Sequence, residues 1–335
     1  MSSARVLSKN DLRDRLEQTA GSDLLAVNEV LRQQFRNPGE FVQDVCDHVM
    51  RYQGKRIRPI LLLLAARLCG MPADRRSTAH RLAAVVEMIH TATLVHDDVI
   101  DDADMRRHVS TVHRRWNTET SVLLGDYLFS RAFHLAATTG DAEACRLIGR
   151  ATNRTCEGEL NQIAARLESS TSERDYFRVI AGKTGQLFAV SCVLGARVAG
   201  ADIAVQTQLR QFGLRLGMAF QIADDLLDLT ETGDTTGKDA ANDLQNGRLT
   251  LPLLRAWQLA DSRERSTLRD LLASEQVSSR GLLAEHPVVL QGIDSARSTA
   301  EELIHRSLKN LSAFPACDER SLLEAIAGFS VQRSS

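Results

Sequence analysis

Two aspartate clusters with identical spacing are the residues in this sequence that point most directly to chemistry. Each has the pattern D-D-x-x-D and directly follows an apolar run; the members are Asp97, Asp98 and Asp101 in the first cluster and Asp224, Asp225 and Asp228 in the second. In an α-helix, residues four positions apart share a face, so the first and last aspartates of each cluster are expected to project from one stripe.

A single acidic cluster is most often a solvated helix face, but two copies next to apolar runs favour another explanation. Carboxylates that lie close to a hydrophobic core need a compensating cation. Oxygen ligands without His or Cys suit a hard ion, and Mg²⁺ is usually bound by a few carboxylates together with substrate phosphates. The two clusters therefore predict facing acidic stripes that hold magnesium, with a diphosphate as the remaining ligand.

Basic residues at two places fit such a diphosphate, although each has an ordinary alternative. Three cations precede an apolar helical stretch in residues 54–59, G-K-R-I-R-P, where a surface loop is an equally common explanation. Arg106 and Arg107 follow the first acidic cluster. Their guanidinium groups suit diphosphate oxygens, but they also suit ion pairs with Asp101 or Asp102.

Two further polar residues lie in apolar helical surroundings. Lys183 stands in the segment Gly182-Lys183-Thr184-Gly185, where it needs an anionic partner. This segment lacks the upstream glycine and the preceding strand of a P-loop, so the sequence argues against an NTPase. His90 lies seven residues before Asp97. A histidine in such a place is a buried core residue about as often as it is a ligand.

Composition excludes several classes of function. The chain has 335 residues, 43% of them hydrophobic, and a formal net charge of −2, which gives no basic excess for nucleic acid or for an anionic membrane. Six scattered cysteines argue against a disulfide framework or a zinc site and fit a reducing cytosol. The N-terminus lacks an apolar signal segment, and the longest uniformly apolar run, 60–66, is too short to cross a membrane. We expect a soluble, cytoplasmic protein without a transmembrane segment.

The elements that position these residues are predicted to be helices. No proline occurs between Pro72 and Pro252, and aromatic residues make up only 4% of the chain, a composition that favours helix over strand. Apolar residues recur at helical spacing in 82–93, 122–136, 177–198 and 209–229. Breaks are predicted at 138–141 and 169–172, and the polar segment 230–247 is predicted to be a mobile lid. No interdomain boundary is evident, so we predict one all-α domain over residues 1–335.

Ordered sequence blocks resemble the trans-polyprenyl synthase family over most of the chain, and in particular its medium- and long-chain members. Besides the two aspartate clusters and residues 54–59, the resemblance rests on blocks at 90–96, 104–107, 125–128, 158–162, 183–184, 220–221, 237–238, 243–244 and 250–252. It implies an isoprenoid-synthase-type fold, a bundle of long helices around a deep central cavity, usually in a homodimer. The implied activity is the magnesium-dependent addition of isopentenyl diphosphate to an allylic diphosphate.

The resemblance also assigns roles to residues. It implies that magnesium is bound by Asp97, Asp101 and Asp224, with Asp98, Asp225 and Asp228 in the same acidic stripes. It implies an allylic diphosphate site made by Arg106, Lys183, Thr184, Gln221, Lys238 and Arg248, of which Lys183, Arg106 and Lys238 stabilise the leaving diphosphate. It implies an isopentenyl diphosphate site made by Gly54, Lys55, Arg58, His90 and Arg107.

The sequence departs from the family pattern at three positions. His108 follows the paired arginines where the family usually has glycine, which stiffens a turn and makes the path after Arg107 uncertain. Arg248 replaces a usual lysine, and a single Gly54 replaces a more common glycine pair.

The product is expected to grow along the helix that carries Asp97. Ala92, five residues before Asp97, stands where short-chain members carry a bulky aromatic residue, and Met88 is the next gate one turn deeper. The small Ala92 predicts a medium- or long-chain product. A class I terpene cyclase, a non-catalytic subunit of a heteromeric synthase and an inactive magnesium-binding scaffold are the alternatives that the sequence leaves open.

Overall fold

The computed structural model describes residues 9–52, 54–168, 172–230, 250–272 and 277–332, and it confirms the predicted all-α fold. The first helices are α1 (Lys9–Phe35), α2 (Glu40–Met50), α3 (Ile57–Leu68), α4 (Arg76–Ile100), α5 (Val112–Arg115), α6 (Thr118–Ala137) and α7 (Ala142–Glu168). They are followed by α8 (Glu173–Ile180), α9 (Gln186–Val198), α10 (Ile203–Thr230), α11 (Leu251–Leu259), α12 (Ser262–Leu272), α13 (Val277–Ala284), α14 (Pro287–Leu311) and α15 (Asp318–Gln332). A 3₁₀ turn, Ala73–Arg75, precedes α4.

Helices α3 and α9 lie at the centre of the bundle because they are apolar on all sides. In α3 every residue from Pro59 to Ala66 is buried, as expected for a helix that is hydrophobic all round. Leu61 and Leu64 face one apolar cluster, whereas Leu62 and Leu63 face a second. Helix α9 likewise contributes to both clusters. This sharing of two central helices supports the prediction of a single domain, which stays a prediction.

The periodic segments of the sequence correspond closely to the helices. Residues 82–93, 122–136 and 209–229 lie within α4, α6 and α10, and the predicted break at 138–141 separates α6 from α7. Of the break predicted at 169–172, only Ser172 lies within the described residues, and its side chain caps α8 by accepting from the Asp175 amide. The lid predicted at 230–247 lies outside them, except for Thr230, which ends α10.

Two details differ from regular helix. A π-helical turn, Ala181–Gly185, interrupts the helical segment predicted over 177–198. A two-residue antiparallel hairpin, β1 (Met105–Arg106) and β2 (Val109–Ser110), follows α4. Both departures lie at residues that were predicted to bind diphosphate, and π-turns inside α-helices are frequent at functional sites.

One helical stretch among the described residues, Glu173–Val198, has the length and apolar character required to cross a membrane. However, 78% of its most apolar window is buried inside the protein. That degree of burial is typical of a core helix, so this stretch is weak evidence for membrane insertion.

Candidate active site

The two aspartate clusters lie on different walls of one cavity of about 1140 Å³. The first is at the C-terminal end of α4, where Asp101 is the residue that ends the helix. The second is in the last two turns of α10. The cavity is lined by Asp97, Asp101, Asp224 and Asp228, as the helical spacing predicted. The C-terminal end of a helix carries partial negative charge, so carboxylates there are unfavourable unless a cation compensates them.

Asp97 shows this excess of negative charge most clearly. Burial is the largest cause that raises its pKa above the usual range, and Glu159 and Asp101 raise it further. Lys183, whose Nζ lies 3.4 Å from Asp97 Oδ2, partly opposes this rise by lowering the pKa of Asp97. The site therefore favours an additional cation near Asp97.

The middle aspartate of each cluster turns to partners in the protein. Asp98 is fully buried, is not among the residues that line the cavity, and accepts from Arg106 Nε at 2.6 Å. Asp225 is also buried and accepts from Tyr176 Oη at 2.6 Å and from Gln221 Nε2 at 2.9 Å. Burial raises the pKa of Asp98 to about 6, although Arg106 acts to lower it.

The hairpin after α4 carries the paired arginines to the cavity. Arg107 and His108 form its turn, and both have positive φ angles, 52° and 64°, as in a type I′ turn, for which glycine and asparagine are preferred. The path that the sequence left uncertain after Arg107 is thus a tight turn without its usual glycine. The hairpin is held to α2 and to the turn after it, because His48 on α2 and Tyr52 beyond its end both bond the Ser110 carbonyl oxygen.

Gly54 makes room for one of these arginines. The guanidinium group of Arg107 occupies the space that a Cβ atom at residue 54 would enter. Arg107 also donates to the Tyr52 carbonyl oxygen at 2.7 Å. Gly54 and Arg107 were both predicted to bind isopentenyl diphosphate, and the structure brings them into contact.

The other predicted isopentenyl diphosphate ligands line the same cavity, namely Lys55, Arg58 and His90. Arg58 lies over the Phe188 ring at 4.9 Å, and burial lowers its pKa to about 10. Burial, followed by the nearby arginines, lowers the pKa of His90 well below its usual value. His90 is therefore neutral near pH 7 and can donate one hydrogen bond to an anion.

Lys183 is positioned by residues that the sequence analysis did not select. Its Nζ lies 2.5 Å from Glu159 Oε2, and it donates to Gln162 Oε1 at 3.3 Å. Gly158 permits the close approach of α7 to the backbone of the π-turn, because a Cβ atom at residue 158 would lie 2.7 Å from the Lys183 backbone nitrogen. The block at 158–162 was visible in the sequence, but only the packing of α7 on the π-turn gives it a role.

Thr184 and Gln221 connect the π-turn to the second aspartate cluster. Thr184 Oγ1 donates to Gln221 Oε1 at 2.8 Å, and the amide group of Gln221 in turn bonds Asp225. Both residues line the cavity. This chain of hydrogen bonds fixes the orientation of the Gln221 amide.

Two predicted residues stand apart from the described cavity, and two others fall outside the part of the chain that the structure describes. Ala92 and Met88 are fully buried in an apolar cluster with residues of α6 and are not among the cavity-lining residues, whereas Thr93 is. The structure thus places the predicted chain-length residues behind the cavity wall. Lys238 and Arg248 lie outside the described residues.

Within the described part of the chain, no three His, Cys, Asp or Glu side chains converge on a single metal position. The carboxylates on the two walls nevertheless fit Mg²⁺, which keeps several waters and uses one or two protein carboxylates together with substrate phosphates. The raised pKa of Asp97, caused by burial and by neighbouring carboxylates, supports a cation there.

Comparison with known proteins adds four findings. The polyprenyl synthetase family model matches residues 39–285. Octaprenyl diphosphate synthase from Haemophilus influenzae is 33% identical over 333 residues, which cover 98% of this chain and 100% of that protein. Heptaprenyl diphosphate synthase component 2 from Geobacillus stearothermophilus is 35% identical over 305 residues, or 91% and 94% of the two chains. A solved polyprenyl synthase from Caulobacter crescentus, complexed with calcium and isoprenyl diphosphate, is 35% identical, with a TM-score of 0.90 and coverage of 96% and 98%.

Proposed function

The chain belongs to the polyprenyl synthetase family, as the sequence resemblance predicted, and we propose that it is a magnesium-dependent prenyltransferase that adds isopentenyl diphosphate units to an allylic diphosphate. One observation carries the proposal. Two carboxylate walls and a separate group of cations line a single cavity, so two diphosphates can be held in different surroundings.

The two surroundings define the roles of the residues. Asp97, Asp101, Asp224 and Asp228 hold magnesium at the allylic diphosphate, and Asp98 and Asp225 position neighbouring groups. That diphosphate is also held by Arg106, Lys183, Thr184 and Gln221, with Lys238 and Arg248 proposed from the sequence alone. Isopentenyl diphosphate is held by Gly54, Lys55, Arg58, His90 and Arg107.

The bond changes follow from this arrangement. The allylic C1–O bond breaks and pyrophosphate leaves. The C4 atom of the isopentenyl unit bonds to C1, its double bond moves to C2–C3, and the proton on C2 passes to the released pyrophosphate. Lys183 and Arg106 stabilise the negative charge on the leaving diphosphate. Bound Mg²⁺ supplies further charge neutralisation to the same oxygens. The apolar side chains of the cavity, such as Phe188 and Phe220, limit the access of water to the allylic cation.

The product is proposed to be a medium- or long-chain all-trans polyprenyl diphosphate. Octaprenyl and heptaprenyl synthases are among the relatives, and a cavity of about 1140 Å³ is larger than most small-ligand pockets. The role of Ala92 stays a prediction, since it lies behind the wall. Ala92→Phe should shorten the product, and Thr93→Phe adds the same bulk on the wall itself.

A homodimer in the cytoplasm is the proposed state of the enzyme. Helix α6 leaves Val122, Leu123 and Phe133 exposed, and such apolar side chains are suited to a subunit interface. One relative is named as a component of an enzyme, so a partner chain is the alternative. Sedimentation of the purified chain alone gives its oligomeric state, and an incorporation assay on the same sample shows whether it is active without a partner. Together the two measurements distinguish a homodimer from a chain that needs a partner.

The other candidate functions have less support. A terpene cyclase needs no second diphosphate site, whereas Lys55, Arg58 and Arg107 form a group of cations in this cavity that suits a second diphosphate. A non-catalytic subunit has no need for complete acidic clusters, and in this chain both clusters are intact.

Incorporation of labelled isopentenyl diphosphate tests the proposal. Purified protein is incubated with Mg²⁺ and farnesyl or geranylgeranyl diphosphate, and the dephosphorylated products are sized. We expect a ladder that ends at one medium or long chain length. Asp97→Asn should lower the rate of incorporation by a factor on the order of 10²–10³, while the surface substitution Asp294→Asn should not. A folded wild-type chain that incorporates nothing with any primer would contradict the proposal.

A further inference from the structure

A buried ion pair lies in the basic part of the cavity, and the roles proposed above do not use it. Arg56 Nη1 donates to Glu87 Oε1 at 2.8 Å, and the two side chains are 19% and 6% exposed. Both residues line the cavity. Glu87 is on α4, one turn before His90, so it lies on the same helix face as a proposed isopentenyl diphosphate ligand.

The pair is costly to maintain. Glu87 Oε2 is buried and makes no hydrogen bond within the described residues, which leaves one carboxylate oxygen desolvated without compensation. Arg56 has a positive φ of 50°, a strained conformation for a residue other than glycine. Such costs are typically found where function requires them.

Glu87 acts on more than its direct partner. Its negative charge also raises the pKa of Arg58 and of Arg107, against the burial that lowers both. The other acidic residues that line the described cavity are five of the six aspartates in the two clusters, all except Asp98, and Glu159, which pairs with Lys183. Glu87 is thus the carboxylate that reduces the positive charge around the isopentenyl diphosphate pocket.

The proposed reaction gives this reduction a purpose. The new carbon–carbon bond joins the allylic group to the isopentenyl unit, so the lengthened product keeps the diphosphate of the isopentenyl unit. After each condensation that diphosphate lies in the basic pocket. It must leave this pocket for the allylic site before another unit can be added. A pocket that binds diphosphate too tightly lowers the free energy of the bound product, which raises the barrier to its transfer and slows each further addition.

We infer that Glu87 is a positioning residue which, paired with Arg56, weakens the hold of the basic pocket on diphosphate so that the lengthened product can transfer to the allylic site. The inference rests on the proposed function. The proposed role of Glu87 differs from a purely structural one in the sign of the change in diphosphate affinity when Glu87 is removed. Loss of a structural support weakens ligand binding, whereas loss of an opposing charge strengthens it.

Direct titration measures that sign. Isopentenyl diphosphate is added to the full chain in EDTA, where the carboxylate walls repel it, and the dissociation constant is read by calorimetry. Glu87→Gln should bind about tenfold more tightly than wild type, since the repulsion between a buried unit charge on the cavity lining and a diphosphate in the same cavity is of that order. Arg56→Gln should bind more weakly. The double variant R56Q/E87Q has the wild-type net charge and should lie near wild type.

Weaker binding by Glu87→Gln would overturn the inference. If that variant does not fold, the comparison of Arg56→Gln with the double variant takes its place, because the double variant leaves no buried charge unpaired. Removal of Glu87 must tighten binding in that background, and no tightening would again overturn the inference.

Turnover supplies the second readout. Glu87→Gln should lower both the KM for isopentenyl diphosphate and kcat, and should shift products to shorter chains, while the KM for the allylic primer stays unchanged. Glu87→Asp keeps the charge and should restore the wild-type product length. Glu143→Gln, which changes an exposed glutamate on α7, is the matched control. Tighter binding with unchanged kcat and product length would refute the role in transfer.

The two proposals fail in distinguishable ways. A wild-type chain that incorporates no isopentenyl unit contradicts the proposed function. The titration in EDTA needs no turnover, so it reports on Glu87 in either case.

Discussion

The two aspartate clusters have the same sequence pattern but are supported in different ways. In the cluster on α4, the middle residue Asp98 is held by a charged partner, Arg106, which reaches it from a hairpin outside the helix. In the cluster on α10, the middle residue Asp225 is held by neutral donors, Gln221 one turn earlier on α10 and Tyr176 on α8. The first cluster extends to the C-cap of its helix, Asp101, whereas the second lies wholly within one.

This difference shows that one motif can divide its residues between two tasks. The first and last aspartates face the cavity. The middle one fixes the surroundings, and on α10 this residue, Asp225, lines the cavity as well. On α4 the middle residue orients a cation that is proposed to bind diphosphate. On α10 it orients an amide group that is linked to Thr184. The first wall therefore depends on a charge pair, and the second on a hydrogen-bond network.

Replacing the middle aspartates tests the comparison most strongly. Asp98→Asn leaves Arg106 without its buried carboxylate and should lower the free energy of unfolding by about 3–5 kcal/mol. Asp225→Asn keeps an amide oxygen for one of its neutral donors and should cost about 1–3 kcal/mol. Denaturant unfolding of both variants measures the difference. Equal losses would show that the charge of Arg106 does not distinguish the two clusters.

Replacing the first aspartates should affect the two clusters alike. Asp97→Asn and Asp224→Asn each remove a proposed magnesium ligand, and each should lower kcat/KM by a factor on the order of 10²–10³. Both should also raise the Mg²⁺ concentration that gives half-maximal activity. Steady-state rates across a magnesium titration check this expectation. An effect in only one variant would assign the metal to one wall.

Tyr176→Phe separates the two supports of Asp225. It removes one hydrogen bond to a buried carboxylate, a loss of about 1.5–3 kcal/mol in unfolding free energy. The effect should be smaller in an Asp225→Asn background, because the two residues form one pair. A double-mutant cycle by denaturant unfolding gives the coupling, and strict additivity would mean that the hydroxyl does not support Asp225.

The hairpin turn gives the smallest expected effect. His108 has a φ of 64°, so His108→Gly should relieve strain and raise the unfolding free energy by about 1 kcal/mol. Since the hairpin supports only the first cluster, His108→Gly should change the KM for the allylic substrate more than Tyr176→Phe does. Thermal unfolding measures the change in stability, and steady-state kinetics measure the change in KM. A destabilised glycine variant would show that the histidine ring has contacts worth more than the strain.

The sequence by itself determined the helical class, the helix faces and most of the charged residues that line the cavity. Helical periodicity is a local property, and it is sufficient to place Asp97 with Asp101 and Asp224 with Asp228. The ordered blocks supplied the family. The basic residues 54–58 and the arginines after α4 were also visible, because charges next to apolar runs need partners.

Only the tertiary structure decided which polar groups meet. It paired Asp98 with Arg106, Lys183 with Glu159 and Arg56 with Glu87, and it placed Ala92 behind the cavity wall. These contacts join residues from different elements, so no spacing along the chain predicts them. The π-turn at Lys183 and the strained turn at His108 likewise depend on packing, because local propensity alone favours regular helix and a glycine in those places.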